Sequence, residues 1–390
     1  MSMSLILNTE SATRAKPYAK SNPADWMEIR RSPDKSKLDH FQDALSPGRH
    51  EDVKGGFRSF AAELLERGLI SMRLYVSVFG GEALHHITHD DDKVFRHMET
   101  GEDAGELTAI YSRAKYGSIA GIRHLAGLIV EHLSQALDAP DSQWSRLFNE
   151  ARINGDSVVL MTTGWRNVPS TANVLYGIVV DHINLKLAHL GLPTIINVKL
   201  PRIAPPCENY ASLSTEERER VNLVQDHVIP AANFYAWSSV HVIFGDDVLV
   251  TGSTADKVFA ESMRNGAKSF RAIYPIAIDP RFALNDATIE ECLNTVAVTG
   301  ELDSTIAAIL SDPDYQPILR TIRLVFSGGN HASFAGFLRQ VPSACWLRLY
   351  MSALGNEFLR QDDIRPSLLK LRAFLTERGL LNLDGMTVAR

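Results

Sequence analysis

The chain has 390 residues, of which 45% are hydrophobic and 22% charged, a make-up that excludes intrinsic disorder, collagen and coiled coil and leaves a globular fold of one large or a few smaller domains. With 40 basic against 46 acidic residues the formal net charge is −6, which repels a polyanion: extended nucleic-acid binding is not expected, while a local pocket for one small phosphate ligand stays open. No uncharged apolar run approaches the roughly 18 residues of a membrane helix, and Met1 to Glu10 carries only a short apolar stub without a basic flank, so a cytoplasmic protein, neither secreted nor membrane-bound, is expected.

Residues 1–50 are polar, rich in Ser, Pro, Asp and Lys, and follow neither a helical nor a strand period, which predicts an extended arm. From Phe57 to about Leu137 apolar positions recur at helical spacing, most clearly from Ser118 to Val130, and predict a helical N-terminal region over 51–104 that leads into further helices. The pattern changes at Asp156 to Thr163, a short apolar run bounded by Asn154-Gly155 and Gly164, the profile of a buried parallel strand. A helix follows from Ser170 to Leu190 and stops at Gly191 and Pro193. A second strand, Pro193 to Val198, gives way to a stretch from Lys199 to Arg220 that is rich in Pro and charge and poor in regular apolar spacing. A third strand runs from Val240 to Phe244, a helix from the Thr251-Gly252-Ser253-Thr254 turn to Arg264, and a fourth strand from Phe270 to Ile278. Strands alternating with helices at this spacing predict an α/β core over 105–285, a parallel sheet with helices on both faces. Beyond Asp286 helices return, with breaks at Pro313, Gly328-Gly329 and Pro342, and predict a helical C-terminal region over 286–390.

The segment from Val242 to Thr254 carries the chemistry. A hydrophobic strand delivers Asp246 and Asp247 at its C-terminal end, where open parallel sheets place ligands. Four residues on, Thr251-Gly252-Ser253-Thr254 opens a helix and offers backbone N–H groups, three hydroxyls and the positive end of the helix dipole to one anion, with Gly252 allowing close backbone approach. Two acids beside a phosphate cradle make little sense for phosphate alone. They fit a sugar phosphate whose hydroxyls meet the carboxylates while its phosphate sits in the turn; the alternative is a buried Asp pair next to an ordinary helix start.

This segment resembles the signature of the type I phosphoribosyltransferases: a hydrophobic strand, two acidic residues, three mostly apolar residues, then Thr-Gly-x-Thr. The resemblance implies that Asp246 and Asp247 hold the ribose 2- and 3-hydroxyls of phosphoribosyl pyrophosphate and that Val250, Thr251, Gly252, Ser253 and Thr254 bind its 5-phosphate. It also places three weaker segments. Thr163-Gly164-Trp165-Arg166 resembles the family's pyrophosphate loop, in which the Arg166 guanidinium would grip phosphate oxygens. Lys199 to Arg220 falls where the family carries a closing lid, with Lys199 and Arg202 within reach of the pyrophosphate. Asp279-Pro280-Arg281 follows the last core strand, where some members bring an acid and an Arg to the leaving group; Asp279 would then be a minor ligand of a Mg²⁺ held mainly through the substrate. Upstream, Tyr111 to Gly117 resembles the entry to the core in some members. The resemblance leaves both helical flanks unassigned.

The expected activity is thus Mg²⁺-dependent transfer of the 5-phosphoribosyl group to a small-molecule acceptor with release of pyrophosphate, without nucleic acid or membrane as partner and compatible with a homodimer. Members acting on 6-oxopurines commonly carry Asp where this chain has Val250, so hypoxanthine or guanine is not the expected acceptor. The alternative is a non-catalytic protein that senses the same donor. Other signals point to structure. Cys207, Cys292 and Cys345 share no metal spacing and suit a reducing compartment. His85, His86 and His89 with Asp90, Asp91 and Asp92 predict a solvated polar loop rather than a metal site, and Gly328-Gly329-Asn330-His331 predicts a turn between helices.

Overall fold

The computed structural model describes residues 65, 67–68, 71–78, 81–89, 94–164, 166–199, 237–283 and 288–388. The strands are β1 (Gly81–His89), β2 (Phe95–His97), β3 (Ser157–Met161), β4 (Ile195–Val198), β5 (Val240–Gly245) and β6 (Ser269–Ile278). Helix α1 (Met72–Val78) precedes β1; α2 (Gly105–Lys115), α3 (Ile119–Asp138) and α4 (Gln143–Asn154) lie between β2 and β3; α5 (Thr171–His189) follows β3, and α6 (Ser253–Arg264) follows β5. After β6 come α7 (Pro280–Ala283), α8 (Ile289–Asn294), α9 (Ser304–Ser311), α10 (Leu319–Phe326), α11 (His331–Phe337), α12 (Ser343–Gly355) and α13 (Arg365–Glu377).

The six strands among the described residues are hydrogen-bonded in the order β2-β1-β6-β5-β3-β4. All neighbours run parallel except β1 and β2. Alternate side chains of each strand point to opposite faces, and both faces are covered, which is why the strands are continuous apolar runs. Val158, Leu160, Ile243 and Ile273 pack under α2, α3, α4 and α5 with Tyr111, Ile122, Trp144 and Leu175. Val159, Met161, Val242, Phe244 and Phe270 pack on the other face with Met72, Tyr75 and Val76 of α1 and Ala255 of α6. Full burial of one such side chain contributes about 1.5–3 kcal/mol, so this two-sided burial outweighs any strand propensity.

Helix boundaries follow local chemistry. The Ser118 hydroxyl accepts from the Gly121 N–H at the start of α3, and Ser170 with Asn173 forms a reciprocal capping box at the start of α5. Helix α4 ends at Gly155, whose φ of 70° is the left-handed conformation that suits glycine.

The N-terminal region corrects one expectation. Residues 81–97, predicted helical, form β1 and β2, and β1 joins the sheet in parallel register with β6, Gly81 opposite Ala272 and Ile87 opposite Ile278. Tertiary pairing with β6 overrides a local sequence whose three histidines break the apolar run. His85, His86 and His89 consequently lie on a strand and not in a solvated loop: His86 is 5% exposed and bonds Glu99 through Nδ1. Asp90, Asp91 and Asp92 lie outside the described residues, as does the arm over 1–50. No group of three His, Cys, Asp or Glu able to hold a metal occurs among the described residues, and no described helix is long and apolar enough to cross a membrane.

Residues beyond α8 build a second core. Phe326, Phe334, Phe337 and Trp346 meet edge to face, and Ile322, Leu349, Leu368 and Leu371 close around them. Tyr116 and Val168 from the α/β core belong to this cluster too, so the helical layer docks on the loops that follow α2 and β3. The breaks fall as expected: α9 ends before Pro313, α12 starts after Pro342, and Gly328 to Asn330 is a tight turn between α10 and α11.

Candidate functional site

The chain leaves β3 for α5 on one face of the sheet and leaves β5 for α6 on the other, although β3 and β5 are neighbours. Two crossovers diverging from adjacent strand ends open a crevice at their C-terminal edge, the position where open α/β sheets bind ligands. Met161 pairs with Phe244 and Val198, so Thr162 to Gly164, Asp246 to Asp247 and Lys199 leave three adjacent strands at one level.

The last residue of β5, Gly245, is a glycine for a steric reason. A Cβ built there would lie 2.6 Å from ring atoms of Tyr176, which reaches over from α5. The Tyr176 hydroxyl donates to the carbonyls of Asp246, at 3.2 Å, and of Ile273. The ring thus fixes the backbone that presents the acids.

The two acids differ. Asp247 is buried, 4% exposed, and both its carboxylate oxygens accept from Lys115 Nζ, at 3.0 and 2.9 Å. Asp246 is half-buried, and its Oδ1 accepts from the Asp247 N–H at 3.0 Å. Burial, reinforced by the Asp247 charge, pushes the Asp246 carboxyl well above the usual carboxylate range, and the Lys115 ammonium opposes that rise. Burial alone would lower the Lys115 value; the charge of Asp247 prevails and keeps the ammonium protonated. Tyr111 Oη is buried beside this pair.

After the acids, Leu249 is stitched to β6: its N–H donates to Ile276 O and its carbonyl accepts from the Ile278 N–H, both at 2.9 Å. Val250 packs against the core, and Thr251 and Thr254 are half-buried. Gly252 adopts φ 73° and ψ 7° as the residue that starts α6, and its carbonyl accepts from the Asp256 N–H at 3.0 Å. A β-carbon is disfavoured in this conformation, which accounts for glycine at the turn. The backbone of residues 251–254 therefore forms the N-terminal turn of a 12-residue helix beside the acid pair.

The β3 loop is held from two sides. Asn173 Nδ2 donates to Thr162 Oγ1 at 2.5 Å and to Thr163 O at 3.0 Å, while Thr163 Oγ1 and Ser170 Oγ lie 2.8 Å apart. Beyond Gly164 the loop turns to the C-terminal helical layer. Arg166 pairs with Glu357 at 3.0 Å, the Asn167 N–H donates to Asn356 Oδ1 at 3.3 Å, and Asn167 Nδ2 donates to Gly355 O. Glu357 has φ 62° and ψ 21°, the one non-glycine residue with positive φ among those described.

Asp246, Asp247, Thr163, Gly164 and residues 250–254 are thus brought to one crevice, and Lys199 follows β4 next to it. Asp279 is elsewhere, at the β6 end beside β1: its N–H donates to Ile87 O, and its fully buried carboxylate is held by Arg281 and by Thr88 Oγ1. Arg281 is therefore committed to its own neighbour. Trp165 lies outside the described residues, as do Arg202 and the rest of the expected Lys199 to Arg220 lid beyond Lys199. Sequence reasoning did not assign Lys115, Tyr176, Asn173 or Glu357. A signal existed for the first, since Lys115 lies in the Tyr111 to Gly117 segment, but nothing local connects it with acids 132 positions away.

No protein-family model, no curated protein and no solved structure matches the chain. What the crevice can do follows from its own groups: two carboxylates for hydroxyls, a helix start for an anion, and a Thr-Gly turn on the neighbouring strand for a second polar group.

Proposed function

We propose that the protein is a phosphoribosyltransferase of the type I architecture, transferring the 5-phosphoribosyl group of phosphoribosyl pyrophosphate to a small-molecule acceptor and releasing pyrophosphate. The observation that carries the reading is the crossover at β3 and β5, which sets the acid pair and the Thr251 to Thr254 helix start at one strand edge beside Thr163 and Gly164. In this reading Asp246 and Asp247 accept the ribose hydroxyls, and the N–H groups of residues 251–254 hold the 5-phosphate. The Thr163 to Arg166 loop receives the departing pyrophosphate, with Arg166 released from Glu357. Positive charge developing on the sugar ring is offset by the nearby carboxylates.

Magnesium fits such a site as an ion bound chiefly through the substrate, since Asp246 is the half-buried acid of the crevice and Asp279 is engaged by Arg281. When bound it neutralises the charge on the leaving group. A second reading, a sensor of the same donor without turnover, draws support from the ion pairs that already engage Arg166 and Asp247.

The test is pyrophosphate release with donor, Mg²⁺ and pooled small-molecule extracts, run beside a thermal-shift titration. The donor should raise the melting temperature, by linkage equivalent to about 2.7 kcal/mol at one hundred times Kd, and release should depend on the extract. A shift without release selects the sensor, and no shift at all removes both readings.

A further inference from the structure

Lys115 ends α2, 132 residues before its partner in the chain, yet its ammonium lies 2.9 and 3.0 Å from the two oxygens of Asp247. Its side chain is 14% exposed and that of Asp247 6%. A buried lysine spent on one carboxylate is costly unless the pairing serves a purpose, and here it stands at the strand end that presents both acids. Two carboxylates on adjacent residues repel each other and compete for one proton unless a cation sits between them and solvent.

We propose that Lys115 is the positioning residue of the acid pair: by gripping both oxygens of Asp247 it fixes that side chain and places a positive charge beside the two adjacent carboxylates, so that both can accept ligand hydroxyls. The proposal rests on the sugar-phosphate reading of the site. Among the described residues, the groups facing the pair are Lys115 and Tyr111 from α2 and Tyr176 from α5; Glu290, ahead of Arg320 on α10, faces Lys115 from α8. The tyrosines are neutral at physiological pH, so among these groups Lys115 is the cation in contact with Asp247. A neutral residue at 115 removes the charge that opposes the upward push on the Asp246 carboxyl. Ligand affinity should then recover only as pH rises.

The experiment measures binding of phosphoribosyl pyrophosphate with Mg²⁺ across pH 5.5–9 for wild type, Lys115→Met, Lys115→Arg and the paired Lys115→Met/Asp247→Asn. Lys115→Met should bind at least tenfold more weakly at neutral pH, with the midpoint of its pH profile displaced upward. Lys115→Arg should return the midpoint toward wild type, because a guanidinium can also grip two oxygens. The paired variant serves if Lys115→Met does not fold. Having lost both the like charge and its counter-ion, it should bind weakly at every pH with its midpoint displaced downward. A midpoint in Lys115→Met equal to that of wild type, or wild-type affinity in the paired variant, overturns the positioning role. If wild type itself binds no donor, the functional reading falls. Lys115 is then judged by carboxyl NMR titration of Asp246 in the free protein, where an upward move in Lys115→Met supports the electrostatic role and no move overturns it.

Discussion

Asp246 sets function against stability. A carboxyl whose value is raised in the folded chain favours folding most below its unfolded value and loses that contribution as pH rises toward the folded one. At neutral pH an ionised Asp246 therefore costs stability. Asp246→Asn keeps the acceptor for the Asp247 N–H and removes that cost, so it should melt higher than wild type at pH 7, with the difference vanishing below pH 4, while donor affinity drops at least tenfold. Calorimetry and titration on the same samples check both halves; a lower melting temperature at pH 7 would contradict the electrostatic account. Gly245 makes the opposite case. Alanine there places its Cβ against the Tyr176 ring and should cost about 1–3 kcal/mol in urea denaturation, as overpacked sites do. A variant equal to wild type would mean that Tyr176 moves freely and does not hold the acids in place.

At the scale of elements, the start of α5 joins cap and crevice. Asn173→Ala removes the acceptor for the Ser170 N–H at 2.7 Å and both donations to the β3 loop. We expect a loss of about 1–2 kcal/mol, the range of a helix cap, with weaker binding of pyrophosphate than of ribose 5-phosphate, because the loosened loop is the one assigned to the leaving group. Equal weakening of both ligands would place the effect on the whole fold. The same element was legible in sequence, as were β3, β5 and β6, since each is a short apolar run closed by Gly, Asn or Asp. Strand β1 was not: its burial comes from β6, 191 positions away at the Thr88 to Asp279 bond, and a local window sees only His-rich polar sequence. The acids and the Thr-Gly turn were visible because their spacing lies within one strand and one helix start. Lys115 and Glu357 were not, because each reaches its partner only through tertiary packing.

For the whole molecule, the opposite edge of the sheet carries a stability switch distinct from the crevice. Asp156, just before β3, is buried and accepts from Lys268 Nζ at 2.5 Å, and His241 Nε2 lies 3.3 Å away on β5. The Lys268 hydrogen bond leads in lowering its carboxyl below the usual range, against the opposing effect of burial. A depressed acid stabilises the fold above its unfolded value and loses that contribution as pH falls through the folded one. Asp156→Asn should therefore be less stable than wild type at pH 7 and show a shallower loss between pH 5 and 2; superimposable pH profiles would count against this assignment.

The Arg166 to Glu357 contact has a consequence for how the two cores communicate. An anion that takes Arg166 competes with Glu357, and Glu357 is held in a left-handed conformation that costs of order 1–3 kcal/mol for a residue other than glycine. If releasing the pair lets that backbone relax, part of the ligand's binding energy is returned at the junction of α12 with residues 356–360. Ligand arrival at the sheet edge should thus be registered in the helical layer as faster amide exchange over residues 355–360. In Glu357→Gly, where no carboxylate competes and glycine accepts the turn, pyrophosphate should bind severalfold more tightly and the exchange response should disappear. On the proposed reading, loss of the Arg166 to Glu357 contact would be how the C-terminal helices register occupancy of the crevice.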